Sequence, residues 1–297
     1  MVLATLFTLG TAGKGLAWEA SFDGGGVATF EHWNGVAIDQ AGNLVTAGVS
    51  LYPAYSWDCA FVVTKVSRSS GTILWRQEFP DCGEDETWES SGQEQVSIDS
   101  AGDVVVGRRD IGWRTFAVYK FSGASGHLLW RKTVGEYPKH GPYAHAITLD
   151  AAGNVVVGAG LKSLENHVNC PTTEFVVSKL DAKTGAEMWR RSVMGTFLAN
   201  DECEDEALNQ ALAVAVDGSG DVIATGSFAG TVDFGGGGLT SSGGADIFLA
   251  RFVAKCTDHF VQTVAYRWVG QVKFLFHTVD LAFASNKGHN KIDIFRA

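Results

Sequence analysis

One string occurs four times along this chain and limits its fold more than any other feature. It reads VAIDQAGNLVTAG at Val36 to Gly48, then VSIDSAGDVVVG from Val96, ITLDAAGNVVVG from Ile147 and VAVDGSGDVIATG from Val214. The common form is apolar, any residue, apolar, Asp, two residues, Gly, Asn or Asp, then an apolar run. Alternating apolar residues on either side of such a turn spell a two-stranded antiparallel hairpin. A second unit follows each of the first three copies: FVVTKVSRSSGTILWRQEF from Phe61, FAVYKFSGASGHLLWRKTV from Phe116 and FVVSKLDAKTGAEMWRRSV from Phe175. It too reads as a hairpin, with Trp75, Trp130 or Trp189 on its last strand.

Two hairpins make four short strands, A to D, and the block returns with its Trp residues 55 and 59 positions apart. A unit this small cannot bury both of its faces alone, so it must stack on its copies. Four-stranded antiparallel units stacked in this way are propeller blades. The expected fold is therefore an all-β β-propeller of about five blades, with repeats over residues 1–252. Full blades fall at about 33–79, 94–134, 144–193 and 210–252, the last with a longer B to C loop, SFAGTVDFGGGGLTSSGGAD. Residues 1–20 read as strands C and D of a partial blade, since Leu9 precedes Trp18 by nine residues as Val66 precedes Trp75. That reading displaces a signal peptide at Met1 to Gly10, where no basic residue precedes the apolar part and no small-residue cleavage site follows.

After Phe252 the pattern fails, because Val261 stands where the next Trp is due, and 253–297 reads as a divergent tail. Within it, VDLAFASNKGHNKIDIF (Val279 to Phe295) is a degenerate echo of the A to B hairpin. C-terminal A and B strands pairing with N-terminal C and D strands would complete the last blade and leave no open sheet edge. The alternative is a piece of a larger propeller carrying an unrelated tail.

Composition excludes several classes. With 33 acidic against 23 basic residues the net charge is -10, which disfavours a phosphate-binding surface and hence nucleic acid. No apolar run has the ~18 residues of a membrane span. Glycine is abundant, 36 of 297 residues, as a fold made of tight turns requires.

The string LDAKTGAEMW (Leu180 to Trp189) resembles the Trp-docking motif of quinoprotein (PQQ-like) propeller repeats, and SRSSGTILW and SGASGHLLW are weaker copies. The stretch Val214 to Phe252, with DGSGD, FAGTVDFGGGG and SSGGADIFLARF, resembles the bacterial SBBP-type propeller repeat. The resemblance implies the propeller scaffold and an extracytoplasmic bacterial setting: periplasmic, surface or secreted. It does not carry redox chemistry with it, since the adjacent Cys-Cys pair of many quinoprotein dehydrogenases is absent.

In such blades the A to B and C to D turns lie on one face, and the B to C and D to A loops on the other. The first face is monotonous (DQAGN, DSAGD, DAAGN, DGSGD), and its D-x-x-G-[ND] string reads as turn chemistry rather than a calcium loop. The second face varies from blade to blade, and variable loops on a repeated scaffold are where binding is built. Trp18, Trp75, Trp130 and Trp189 hold the repeat position and read as core. Trp33, Trp57, Trp88 and Trp113 fall on the variable face with Tyr52, Tyr55, Tyr137, Tyr143 and Asn34. Rings beside polar groups suit a glycan, peptide or protein ligand, and equally suit capping of the blade ends.

Two acidic loops share that face: Asp81, Glu84, Asp85 and Glu86, and Asp201, Glu202, Glu204, Asp205 and Glu206. Such carboxylates could hold Ca2+, although a solvated loop has the same composition. Cys59 and Cys170 fall in B to C loops, and Cys82 and Cys203 in the D to A loops of the same blades. The repeated placement predicts disulfides Cys59 to Cys82 and Cys170 to Cys203, with Cys256 left over, and so an oxidising compartment. No catalytic motif stands out, and His140 and His145 lack a third partner. The resulting expectation is a noncatalytic scaffold presenting its variable face to a partner. The alternative is an enzyme on the same scaffold, either a metal-assisted lyase or hydrolase or a degenerate quinoprotein.

Overall fold

Each of the four recurring strings folds as the hairpin it spells in the computed structural model, which describes residues 5–6, 20–21, 30–51, 59–80, 94–110, 115–136, 143–163, 172–194, 210–234, 237–242, 245–253 and 261–266. These residues all belong to one unit, Met1–Arg267; none is described in the second, Trp268–Ala297. Asp99 illustrates the turn. Its Oδ1 accepts the backbone N–H groups of Ala101 and Asp103, each at 2.9 Å. Gly102 turns the chain at φ +85°, a left-handed conformation that a Cβ would strain. The Asp99 N–H then donates to the Asp103 carbonyl at 3.0 Å and closes the loop. Asp39, Asp150 and Asp217 accept the corresponding N–H groups of Asn43, Asn154 and Asp221.

Among the described residues, twenty strands follow in chain order. The first two are β1 (Thr5–Leu6) and β2 (Ala20–Ser21). The first full sheet is β3 (Phe30–Ile38), β4 (Leu44–Leu51), β5 (Cys59–Val66) and β6 (Ile73–Pro80). The second is β7 (Gln95–Ile98), β8 (Val104–Asp110), β9 (Thr115–Phe121) and β10 (Leu128–Glu136), and the third is β11 (Tyr143–Leu149), β12 (Val155–Ser163), β13 (Thr172–Leu180) and β14 (Glu187–Met194). The fourth comprises β15 (Gln210–Val216), β16 (Val222–Phe228), β19 (Asp246–Phe252) and β20 (Val261–Tyr266), with a small hairpin, β17 (Thr231–Asp233) and β18 (Gly238–Thr240), inserted between its second and third strands. Every pairing is antiparallel, and each four-stranded sheet runs in chain order. No helix occurs among the described residues. The protein is a β-propeller of four-stranded antiparallel blades, four complete ones of which are described, and β1 and β2 pair as a separate two-stranded sheet.

The register of β1–β2 can be set beside that of the repeat. Trp75 lies opposite Lys65, Trp130 opposite Lys120, and Trp189 opposite Lys179. Aligning Trp18 with these tryptophans sets Thr5 opposite Ser21 and Leu6 opposite Ala20, which are the pairs formed. At the other end, β20 lies inside the stretch that the sequence marks as divergent, yet it supplies the outer strand of the fourth sheet. Strand pairing is a matter of backbone hydrogen bonds, so it survives the loss of the repeat's Trp and Gly.

The core lies between blades. Val104, Val105 and Val106 are all fully buried, as are Val155, Val156 and Val157, because an inner strand is covered on both faces and loses the usual alternation. Val45, Ala47, Phe61 and Val63 of the first blade pack on Val104, Val106, Ala117 and Tyr119 of the second. Equivalent sets join the second blade to the third and the third to the fourth. Trp75 and Trp130 are buried, each lying against the glycine of the next blade's C to D turn. A Cβ on Gly126 would come within 2.8 Å of the Trp75 ring, and one on Gly185 within 2.7 Å of Trp130. The long B to C loop of the fourth blade departs from a simple loop. Its β17–β18 hairpin turns Val232 and Phe234 into the core, and Phe234 meets Phe175 edge-on at 5.2 Å and Phe248 at 4.7 Å.

Candidate binding face and its opposite

On the monotonous face almost every polar group is engaged by the scaffold itself. Each turn Asp pairs with a cation from the third strand of its own blade: Asp39 with Lys65 at 2.9 Å, Asp99 with Lys120 at 2.7 Å, Asp150 with Lys179 at 2.7 Å and Asp217 with Arg251 at 2.9 Å. Two of these lysines also reach forward. Lys65 Nζ donates to the Gly123 carbonyl at 2.8 Å, where Trp75 Nε1 donates as well. Lys120 Nζ and Trp130 Nε1 converge in the same way on the Ala182 carbonyl. The Asn or Asp of each turn ties the two turns of a blade together: the side-chain oxygens of Asn43, Asp103 and Asn154 accept the N–H groups of Arg68, Gly123 and Ala182.

The electrostatics follow from these contacts. Burial works to raise the pKa of Asp39, but hydrogen bonds from Lys65 and Asn43, with the Lys65 charge, outweigh it and bring the value from 3.8 to about 2. Asp150 is lowered against the same opposing burial by Lys179 and Asn154, and Asp217 chiefly by the backbone N–H of Asp221. These carboxylates are turn caps and ion-pair partners, the arrangement expected of structural turns rather than of calcium loops. The sequence did not single out the cation, although it was visible as the fifth residue of FVVTK, FAVYK and FVVSK.

The opposite end of the innermost strands is chemically varied. β3, β11 and β15 each carry a β-bulge, at Asn34, His145 and Leu212, and Glu94 holds the equivalent place in the second blade. Bulges of this kind re-aim side chains and often adjoin binding sites. Asn34 is exposed, and its Nδ2 donates to Glu94 Oε2 at 2.8 Å. Glu94 is only 5% exposed, with the Arg108 guanidinium 4.0 Å from its other oxygen. That guanidinium lies 4.6 Å over the Phe61 ring, a cation–π contact between the first two blades. Gln95 Oε1 accepts the Ile147 N–H at 2.7 Å, so the second blade is tied to both neighbours here. The arrangement is a polar seat in which the carboxylate is already held. Glu94 and Arg108 carried no repeat signal and were not singled out in the sequence.

Of the other residues expected on this face, Trp33 and Tyr143 stand within strands rather than loops, opposite Gly48 and Gly160, because β3 and β11 continue beyond their bulges. Cys59 likewise opens β5, opposite Leu51. Tyr52, Tyr55, Trp57, Trp88, Trp113, Tyr137 and His140 lie outside the described residues, as do both acidic loops and Cys82, Cys170 and Cys203. Among the described residues no three His, Cys, Asp or Glu side chains gather as metal ligands would, and no helix is long and apolar enough to cross a membrane.

No family model matches the chain, and no curated protein resembles it in sequence. Solved structures similar to it include the Dos1 propeller, at 12% identity and a TM-score of 0.39 over 78% of this chain. BamB from Moraxella catarrhalis follows at 11% identity and 0.30 over 81%, and the tail fibre of Staphylococcus aureus phage P68 at 9% and 0.26 over 79%. The chain spans 58% of the Dos1 propeller, 91% of BamB and 52% of the tail fibre. The propeller assignment stands on the sheets described above.

Proposed function

We propose that this chain is a noncatalytic propeller scaffold whose variable loop face binds a glycan, peptide or protein partner outside the cytoplasm. One contrast carries the reading. At the monotonous end of the inner strands the four blades carry the same residue, Asp39, Asp99, Asp150 and Asp217, each engaged in its own turn. A few residues away, the equivalent positions hold Asn34, Glu94, His145 and Leu212. Divergence confined to one end of a repeated scaffold is what ligand selection leaves behind, while the other end is held to one chemistry by packing. Trp57, Trp88, Trp113, Tyr52, Tyr55 and Tyr137 supply aromatic contact area on the flanking loops, and the acidic loops offer a place for Ca2+. The disulfides Cys59 to Cys82 and Cys170 to Cys203, the SBBP-like and PQQ-like repeat strings and an extracytoplasmic location belong to the same proposal.

The test is to screen the full chain on glycan and peptide arrays with and without a calcium chelator. Binding that falls at least about tenfold in Trp57→Ala or Trp113→Ala, the loss expected of a contact residue, supports the reading. Turnover of a captured ligand that is abolished by substituting Glu84 or Glu204 while binding persists would make the protein an enzyme instead.

A further inference from the structure

The outer strands of the first three blades share a bulge. In β6, β10 and β14 the residue just before Trp75, Trp130 or Trp189 has no partner across the ladder. The register steps from Val66–Ile73 to Lys65–Trp75, from Phe121–Leu128 to Lys120–Trp130, and from Leu180–Glu187 to Lys179–Trp189. The extra residues are Leu74, Leu129 and Met188. Each is large and apolar, yet they are 50%, 50% and 53% exposed, with Leu128 beside them at 42%. A bulge re-aims the strand and so helps to set the tryptophan that follows, a task that makes no demand for an aliphatic at the extra position. Aliphatics scattered singly over a surface are ordinary, but these recur at one position of the repeat. The tryptophans string them into a row. Trp75 lies against Gly126, two residues before Leu128, and Trp130 against Gly185, three residues before Met188. The row therefore passes from blade to blade along the outer rim, just inside the C to D turns.

We propose that this row is a docking site for an acidic, aliphatic segment of a partner protein, separate from the variable face. Charge selects that chemistry. The C to D hairpins at 67–80, 122–136 and 181–194 hold seven Lys and Arg against four Asp and Glu, in a chain whose net charge is -10. Two of those acids are engaged within their own strands, Glu78 by Arg76 at 2.6 Å and Glu187 by Arg190 at 3.9 Å, and Arg68, Arg131 and Lys183 are exposed. The partner's carboxylates meet these cations while its aliphatics cover Leu74, Leu128, Leu129 and Met188. A lipid surface fits less well. The turns SRSSGT, SGASGH and DAKTGA stand between the row and the blade ends, so a flat bilayer meets them first, whereas a polypeptide can follow the rim. Bulged edges also resist the addition of a strand, so the segment is held by side chains rather than by a shared ladder.

Selection of random dodecapeptides displayed on phage, with the full chain as bait, tests the docking. Peptides that bind the wild type but not the triple variant Leu74→Ser, Leu129→Ser, Met188→Ser are expected to be rich in Asp, Glu, Leu and Ile. Measured as synthetic peptides, they should lose at least about tenfold in affinity for the triple variant, as contacts at the centre of an interface do. Lys183→Glu, which leaves the aliphatics in place, should cost about threefold or more at low salt and less at high salt. Where the triple variant has a lowered urea midpoint, Leu129→Ser alone decides, with a loss of about threefold or more. The proposal is overturned if no selected peptide depends on the row, if the dependent peptides lack acidic residues, or if the substitutions weaken only the binding of phosphatidylglycerol vesicles. The last result would assign the rim to a membrane surface.

Discussion

Replacing Lys120 with Met probes the network that joins one blade to the next. The side chain is 7% exposed and bonds Asp99 Oδ2 at 2.7 Å and the Ala182 carbonyl at 3.0 Å. Methionine preserves most of the aliphatic volume, so little of the loss is packing. The Ala182 carbonyl keeps Trp130 Nε1 as a donor, so the main cost is the stranded Asp99 carboxylate, itself 5% exposed. Removing one partner of a buried pair costs about 3–5 kcal/mol, whereas an exposed pair contributes about 0–1 kcal/mol. Asp99→Asn in the same chain removes the charge and keeps an oxygen for the turn N–H groups, so the double variant should recover more than half of the loss. Guanidinium unfolding followed by tryptophan fluorescence gives both values at constant slope. A loss below about 1 kcal/mol in Lys120→Met, or additive losses in the double variant, would refute a buried and coupled pair.

Three further outcomes follow from the same geometry. Gly102→Ala and Gly126→Ala both place a Cβ at positive φ, at a cost of about 1–2 kcal/mol, but only the second meets a ring, that of Trp75. Gly126→Ala should therefore lose about 1–3 kcal/mol more in chemical unfolding, and equal losses would remove the docking contact from the account. Asp39 has a folded pKa below its unfolded value, so its contribution to stability is complete above 3.8 and drains away as the pH falls to about 2. Urea midpoints should fall across that window in the wild type and fall less in Asp39→Asn. Phe234→Ala should cost about 3–5 kcal/mol, whereas Thr240→Ala on the exposed side of the same hairpin should change stability by less than about 0.5 kcal/mol. Near-zero values for both would mean that the hairpin hangs free of the core.

The repeat made strand order and turn positions legible, because each rests on local chemistry that the string encodes in full. Asp99, two residues and Gly102 specify a turn without help from the rest of the chain. Phe234 was not legible as core, since a glycine-rich stretch spells a loop until a neighbouring blade offers Phe175 and Phe248 to pack against. β20 escaped for the opposite reason: it pairs through its backbone and needs none of the side chains by which the repeat is recognised. Of the candidate binding face, Asn34 could be named from sequence, but its carboxylate partner could not. Glu94 stands just before β7 and Arg108 on β8, and the Arg108 guanidinium lies over Phe61 of another blade, a juxtaposition that only the folded stack creates.

The forward reach of Lys65 and Lys120 gives the stack a direction. The second blade carries both the donors for the junction ahead of it, on Lys120 and Trp130, and the acceptor carbonyl for the junction behind it, on Gly123, so it is a self-sufficient module. A tandem copy of residues 94–136 inserted after itself would find its latch and its catch already present on both sides. Arg251 holds the same place in the fourth blade, where its guanidinium bonds both Asp217 and Asp221 of its own turn. Growth of this architecture by duplication is thus open at the second blade.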